Sequence, residues 1–175
     1  ELHPTDSKAL ASNVAQLDAG RSIMIAREDG FESLKKLLPP PPSATGSKRA
    51  MVLMDPSYEI KSDYGKVAAN IQDCLKRFAT GTYLVWYPII ARPEAHDLPK
   101  RLRTLSNQSQ KPWLNLTLSI GRNTDGSSTG LSASGMFVVN PPHTLKAELL
   151  AALPLLVNVL GRGRGKAQTL ENGGA

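Results

Sequence analysis

Residues 51–59 read Met-Val-Leu-Met-Asp-Pro-Ser-Tyr-Glu, and this stretch decides how the chain is expected to fold. The first four residues are apolar, which predicts a short buried strand. The strand ends on Asp55, which is followed by a proline, a small polar residue and an aromatic. In an open α/β sheet, ligands bind in the crevice outside the carboxyl ends of the strands. The sequence therefore predicts a carboxylate and an aromatic ring at the functional edge of a sheet.

The residues Asp55 to Tyr58 have two interpretations. They suit chemistry on the amino group of a flat base, because the Asp55 carboxylate and the Pro56 carbonyl can each accept a hydrogen bond from the amine. The ring of Tyr58 could then stack on the base. The same residues are also ordinary turn chemistry, since Asp commonly precedes a proline in a turn. The motif alone leaves both interpretations open.

Composition indicates one domain with a basic surface. The chain has 175 residues, of which 21 are basic and 15 acidic, giving a net charge of +6 and a pI of about 9.6. Such a balance favours a nucleic acid partner through phosphate contacts, and it is equally typical of a surface that only aids solubility. No apolar run approaches the ~20 residues of a membrane span, and the start lacks the pattern of a signal peptide. A cytoplasmic protein without a membrane partner is expected.

Cysteine and histidine usage gives no sign of a metal site. The single cysteine, Cys74, excludes a disulfide framework within the chain and a site with several thiolates. It lies on the apolar face of a helical pattern and is interpreted as a small core residue. His3, His96 and His143 are far apart and lack the spacing of metal ligands. No metal is expected.

Helical and strand patterns alternate along the chain, which predicts an α/β layered domain. The strands are predicted at residues 22–26, 51–54, 81–87, 113–120 and 135–140, the last two as an antiparallel pair. The helices are predicted after Pro4, at 31–38, at 61–78, within 92–110, and from Thr144 with an interruption at Pro154. A loop is predicted at 121–130. Residues 160–175 are predicted to be a disordered tail, which leaves 1–159 as the core.

Six segments that follow one another in order closely resemble one family of enzymes. They are Glu1–Asp6, Asp29–Phe31, Val52–Glu59, Arg77–Tyr83, Trp86–Pro88 and Gly135–Pro142. The family is the bacterial 23S ribosomal RNA adenine-N6 methyltransferases of the J type, earlier described as proteins for using external DNA as a nutrient. The resemblance covers roughly residues 1 to 159. It implies the class I S-adenosylmethionine-dependent fold, a Rossmann-like and mostly parallel α/β sheet with one antiparallel strand.

The same resemblance implies a catalytic function for the Asp55 motif. Asp55, Pro56 and Tyr58 match the Asp-Pro-Pro-Tyr motif of amino methyltransferases, with Ser57 in place of the second proline. Asp55 and Pro56 are expected to bind the amine protons and to direct the nitrogen lone pair toward the methyl group. Tyr58 is expected to hold a base that has left its stack. Because Ser57 leaves both acceptors in place, reduced activity is expected rather than none.

A cofactor site is implied as well. Glu1 matches the acidic residue that binds the ribose hydroxyls of S-adenosyl-L-methionine, and Asp29 and Gly30 match the position beside the adenine of that cofactor. Asp55 is also expected to contact the cofactor. No glycine-rich cofactor loop precedes Glu1, so the chain is expected to be the C-terminal part of a longer enzyme. The expected partner is 23S ribosomal RNA, and a monomer is expected.

Several alternatives stay open. A DNA adenine methyltransferase fits the motif too, because the motif binds the amine of the base and not the sugar. A non-catalytic nucleic-acid-binding remnant is favoured by the missing cofactor loop and by Ser57. From the residues alone, Glu1 is compatible with an exposed acid, and Asp29–Gly30 with a simple turn. Residues 92–111 are compatible with an RNA-facing surface or with a solvated basic face.

Overall fold

The structure, a computed structural model, describes residues 1–122 and 130–174. The chain divides into two compact units, Glu1–Leu38 and Pro39–Ala175. The loop predicted at 121–130 lies for the most part outside the described residues.

The first unit contains two helices that the sequence predicts. Helix α1, Pro4–Ala15, begins on a proline, whose fixed φ and missing N–H suit the first helical position. Helix α2, Gly30–Leu37, begins after Asp29, whose side chain accepts a hydrogen bond from the backbone N–H of Phe31 at 2.8 Å. This bond satisfies one of the free donors at the start of the helix. Asp29 is therefore an N-cap.

The prediction of a strand at residues 22–26 is wrong. Within the described part of the chain these residues pair with no strand. Met24 is 85% exposed, and Ile23 and Ile25 are exposed too. An apolar run becomes a strand only when a neighbouring strand supplies its hydrogen bonds, and the run itself carries no signal about that neighbour.

The second unit is built on a five-stranded sheet in the order β1-β2-β4-β3-β5. Its strands are β1 Met51–Met54, β2 Thr82–Pro88, β3 Trp113–Arg122, β4 Ala133–Val139 and β5 Arg164–Gly173. β1 and β2 are parallel, β4 is antiparallel to β2 and to β3, and β5 is antiparallel to β3. β1, β2 and β3 therefore run in the same direction. Their carboxyl ends share one side of the sheet, which is called the carboxyl edge below.

Three helices connect and cover these strands: α3 Ser62–Arg77, α4 Pro93–Gln108 and α5 Leu145–Leu160. α3 packs on α4, while α5 packs on β3 and β5. On the face of α3 that the sequence predicts as apolar, Val67, Ile71 and Cys74 are buried. Burial raises the pKa of the Cys74 thiol to about 11, which keeps it protonated and unreactive near neutral pH. Cys74 is a core residue, as predicted.

Residues 160–175 are not the disordered tail that composition predicted. β5 pairs with β3 in a continuous antiparallel register, from Trp113 opposite Gly173 to Arg122 opposite Arg164. The glycine-rich repeat that suggested disorder, residues 161–166, leads into this strand and supplies its first three residues. β5 is an edge strand with mostly exposed residues, so backbone hydrogen bonds hold it and apolar periodicity does not reveal it. The core unit therefore continues beyond residue 159.

Helix α5 also differs from its prediction. It runs through Pro154 without a break, and Thr144 occupies the N-cap position without a side-chain hydrogen bond. A proline inside a helix removes one hydrogen bond and crowds the preceding turn. The helix nevertheless continues, and it packs on β3 and β5 with Leu153, the residue before the proline, buried. Among the described residues, no helix is long and apolar enough to cross a membrane.

Candidate active site

The Asp55 motif follows β1 at the carboxyl edge of the sheet, where the sequence places it. Met54 is the last residue of β1 and lies opposite Val85 of β2 in the parallel register. β2 continues to Pro88, so the residues after β1 lie beside the end of β2. The side chain of Asp55 is exposed there, and Pro56 is half-buried. Strand β1 thus places the Asp55 carboxylate at the carboxyl edge, beside the longer strand β2.

Both acceptors of the motif are free to bind a ligand. Within the described residues, no group donates a hydrogen bond to the Asp55 carboxylate or to the Pro56 carbonyl. No described Lys or Arg forms an ion pair with Asp55. Two adjacent oxygen acceptors with no internal partner suit a ligand that carries an NH2 group with two protons.

Tyr58 turns back into the protein. Its side chain is only 2% exposed, and its hydroxyl donates a 2.6 Å hydrogen bond to the backbone carbonyl of Trp86. Its ring centroid lies 4.6 Å from that of Tyr64 and 6.2 Å from that of Trp86. Burial, and secondly the negative charge of Asp55, raise the pKa of the Tyr58 hydroxyl well above its ordinary value. In this conformation the ring is part of the core and is not presented to a base.

The backbone of Tyr58 is also unusual, with a φ of +56° in the left-handed region. A bulky residue there costs on the order of 1–3 kcal/mol and persists only when its surroundings fix it. The packed ring and the hydroxyl bond to Trp86 supply that constraint. Tyr58 is thus fixed in the core, while the side chain of Asp55, three residues earlier, stays exposed.

Arg92 fixes the end of the motif from the neighbouring loop. Its Nη1 donates to the backbone carbonyl of Tyr58 at 2.9 Å and, at 3.4 Å, to that of Glu59. Arg92 lies between β2 and α4, so one side chain ties the loop after β1 to the loop after β2. In the sequence, Arg92 is distinguished only as the first residue of the basic stretch 92–111. No local pattern marks an arginine that binds carbonyl groups more than thirty residues away.

Replacing Arg92 by glutamine is expected to lower the free energy of unfolding by about 1–3 kcal/mol, because two backbone carbonyls lose a charged donor. Arg101→Gln is the matched control, since Arg101 is exposed on α4 and forms no ion pair among the described residues. Denaturant titration followed by tryptophan fluorescence measures both variants. Equal losses in the two variants would contradict the function of Arg92 in fixing the motif.

The residues predicted to hold a cofactor lie in the first unit. Oε1 of Glu1 accepts a 2.7 Å hydrogen bond from the backbone N–H of His3. This bond is the main reason that the pKa of Glu1 is lowered, so the carboxylate is charged near neutral pH. The backbone nitrogen of Glu1 donates to the Ala26 carbonyl at 3.1 Å, which places Glu1 beside the segment that leads to Asp29. Gly30 is exposed, and a Cβ there would contact nothing within 4 Å.

The topology and the motif together define a class of protein. Strands β1, β2 and β3 run in one direction, β4 is inserted antiparallel between β2 and β3, and an Asp-Pro-x-Tyr motif follows β1 at the carboxyl edge. This is consistent with the class I methyltransferase fold that the resemblance of the sequence implied, except that β5 is a second antiparallel strand where one was expected.

Comparison with known proteins gives the particular family. The chain matches the family described as Ribosomal RNA large subunit methyltransferase D, RlmJ, over residues 1–170. The chain belongs to this family.

Two curated relatives carry the name Ribosomal RNA large subunit methyltransferase J. The protein from Haemophilus influenzae is 35% identical over 160 residues, which are 91% of this chain and 52% of the relative. The protein from Escherichia coli K12 is 36% identical over 156 residues, which are 89% of this chain and 51% of the relative. The chain thus spans about half the length of the curated relatives it matches.

A solved structure is similar over almost the whole chain. It is the crystal structure of a DUF519-family protein from Legionella pneumophila, with a TM-score of 0.79 and 27% sequence identity. The similarity covers 99% of this chain and 59% of that protein.

Proposed function

We propose that this chain is part of an enzyme that transfers a methyl group from S-adenosyl-L-methionine to N6 of an adenine in 23S ribosomal RNA. The observation that carries the proposal is the pair of acceptors at the carboxyl edge, the Asp55 carboxylate and the Pro56 carbonyl, to which no described group donates a hydrogen bond. The two curated relatives are named as methyltransferases of large-subunit ribosomal RNA. Such a substrate implies a cytoplasmic enzyme.

The chemistry requires the amine of adenine to become a better nucleophile. Its lone pair is delocalised into the ring, so the nitrogen attacks poorly when it is free in solution. Hydrogen bonds from its two protons to Asp55 and Pro56 orient the amine and localise the lone pair on nitrogen. Holding two reacting groups in line can supply ~7–11 kcal/mol in favourable intramolecular cases. S-adenosyl-L-methionine supplies the methyl group when it is bound.

Residues of the first unit fit this cofactor chemically. The charged carboxylate of Glu1 uses Oε1 for His3, and its Oε2 has no hydrogen bond among the described residues. Oε2 is therefore proposed to accept from the ribose hydroxyls of the cofactor. The Oδ1 of Asp29 caps α2, so its Oδ2 is proposed to bind the cofactor. Gly30 has no side chain, so the cofactor can approach its backbone closely. Asp55 is proposed to lie beside the methyl-bearing end of the cofactor.

Transfer of a labelled methyl group tests the proposal. The protein is incubated with S-adenosyl-L-methionine labelled in the methyl group and with unmethylated 23S ribosomal RNA or double-stranded DNA. Label is expected in the RNA and not in the DNA. Label in the DNA alone would favour the DNA adenine methyltransferase. Absence of label from both nucleic acids would contradict the proposed activity and favour a non-catalytic nucleic-acid-binding protein.

A further inference from the structure

Residues 161–166, Gly-Arg-Gly-Arg-Gly-Lys, comprise the link from α5 to β5 and the first three residues of β5, and are called the arginine turn here. In the register of β3 with β5, Arg122 lies opposite Arg164, and Ile120 lies opposite Lys166. These are the last residues of β3, which runs in the same direction as β1. The arginine turn is therefore at the carboxyl edge, on the same side of the sheet as Asp55. Four strand spacings separate β1 from β5, roughly 19 Å at ~4.8 Å for each spacing. Met54 lies level with Asn115 of β3, seven residues before Arg122, so Arg164 is also farther along the strand direction by roughly 23 Å at ~3.3 Å per residue.

The backbone of the arginine turn is held firmly against β3. The N–H of Arg162 donates to the Ile120 carbonyl at 2.5 Å, and the Ser119 hydroxyl donates to the Gly165 carbonyl at 2.9 Å. Gly121 has a φ of +80°, and a Cβ on it would lie 2.7 Å from the Arg164 carbonyl oxygen. Only glycine permits this close crossing. The cationic side chains therefore start from a fixed backbone.

The side chains of the arginine turn keep their charges available. Arg162, Arg164 and Lys166 are exposed, and no carboxylate of a described residue pairs with them. On α4, the helix to which the sequence pointed, Arg101 is also exposed and forms no ion pair among the described residues, but the other two basic residues, Lys100 and Arg103, have partners. Lys100 pairs with Asp97 at 3.1 Å.

Arg103 of α4 is engaged as well. It pairs with Glu171 of β5 and lies 5.0 Å from the centroid of the Trp113 ring. Cations that already have a carboxylate or an aromatic partner offer less to a second anion. The arginine turn thus groups three cations without a carboxylate partner among the described residues, whereas α4 offers one, Arg101, so the arginine turn is the better phosphate-binding surface of the two.

We propose that the arginine turn binds backbone phosphates of the RNA whose adenine lies at Asp55. The inference rests on the proposed function for its substrate. An RNA strand that presents one base at β1 continues along the carboxyl edge, and its phosphates meet the three cations at β5. Arginine and lysine neutralise phosphates without reading sequence, so this contact positions the RNA and does not choose the base. Each neutralised phosphate releases counterions and steepens the salt dependence of binding.

Two triple variants of equal charge test this inference. The first removes the cations of the arginine turn. The second removes three exposed cations at the opposite edge of the sheet, two just before β1 and one near the end of α3. The first is Arg162→Gln, Arg164→Gln and Lys166→Gln. The second, the control, is Lys48→Gln, Arg49→Gln and Lys76→Gln. Filter binding of unmethylated 23S ribosomal RNA between about 50 and 200 mM salt measures affinity and its salt dependence for each protein.

The first variant is expected to bind the RNA more weakly. The slope of log affinity against log salt is expected to become shallower by about 2 to 3, because each of three lost phosphate contacts contributes about 0.7–0.9 to that slope. The control is expected to change the slope by less than about 1, the contribution of a single phosphate. Equal slopes in the two variants, or an unchanged slope in the first, would overturn the inference. The pair Arg162→Lys and Arg164→Lys keeps the charge and is expected to keep the slope. Loss of the slope in this pair would also overturn it.

The binding measurement needs neither cofactor nor turnover, which separates the two proposals. Normal salt-dependent binding without methyl transfer would contradict the proposed function alone. Normal methyl transfer by the first triple variant, with an unchanged salt slope, would contradict the inference about the arginine turn alone.

Discussion

Asp55→Ala is expected to reduce methyl transfer to ribosomal RNA by at least about 100-fold, the effect typical of losing one positioned hydrogen-bonding group in an active site. The affinity for S-adenosyl-L-methionine is expected to change little, because the main cofactor contacts are proposed for Glu1, Asp29 and Gly30. The Asp55 side chain is exposed and makes no hydrogen bond to a described residue, so the fold does not depend on it. Single-turnover methyl transfer and calorimetric cofactor titration measure the two effects.

Two further variants sharpen this prediction. Asp55→Asn retains one oxygen acceptor in nearly the same shape and is expected to keep more activity than Asp55→Ala. Glu59→Ala is the matched control, because Glu59 is an exposed carboxylate four residues further along the same edge. The control is expected to transfer methyl groups at close to the normal rate. Normal turnover by Asp55→Ala, or an equal loss in Glu59→Ala, would exclude Asp55 as the group that binds the amine.

Tyr58→Ala is expected to lower the free energy of unfolding by about 3–5 kcal/mol, the range for deleting a buried aromatic ring. The reason is the packing of this 2% exposed side chain against Tyr64 and Trp86. Tyr58→Phe keeps the ring and loses only the hydrogen bond to the Trp86 carbonyl, so a loss of about 0.5–1.5 kcal/mol is expected. Urea titration of both variants gives the comparison.

The variants Tyr58→Ala and Tyr58→Phe together test whether the Tyr58 ring packs in the core or stacks on a base during catalysis. Tyr58→Phe preserves a flat ring and is expected to keep methyl transfer near the normal rate, whether the ring packs in the core or stacks on a base. A loss of stability below about 1 kcal/mol in Tyr58→Ala would contradict the buried position. If activity then fell through a weaker affinity for RNA, base stacking by Tyr58 would be favoured instead.

Much of the second unit could be predicted from the sequence because its signals are local. The three- and four-residue spacing of α3 follows from burial of one face of the helix. The apolar run of β1 predicts the strand but not its burial, since Met51 and Leu53 are exposed and Met54 is buried. The alternation in β3 and the apolar run of β4 predict their antiparallel pair. The exposed position of Asp55 follows from the end of β1. Each of these features depends on residues close together in the chain.

The remaining features depend on partners that are distant in sequence. The inward turn of Tyr58 needs Trp86 and Arg92, which come from β2 and the loop after it. β5 exists because β3 offers it a free row of backbone donors and acceptors, although its own composition suggested disorder. The apolar residues 22–26 lack such a partner among the described residues and form no strand. Composition and periodicity do not encode these pairings.

The position of the new methyl group on the RNA tests the central claim most directly. Unmethylated 23S ribosomal RNA is treated with the protein and S-adenosyl-L-methionine, digested to nucleosides and analysed by mass spectrometry. The acceptor pair of Asp55 and Pro56 predicts N6-methyladenosine as the new nucleoside, and predicts that it disappears with Asp55→Ala. A methyl group on a ribose, on a ring carbon or on another base would contradict the account, as would N6-methyladenosine formed normally by Asp55→Ala.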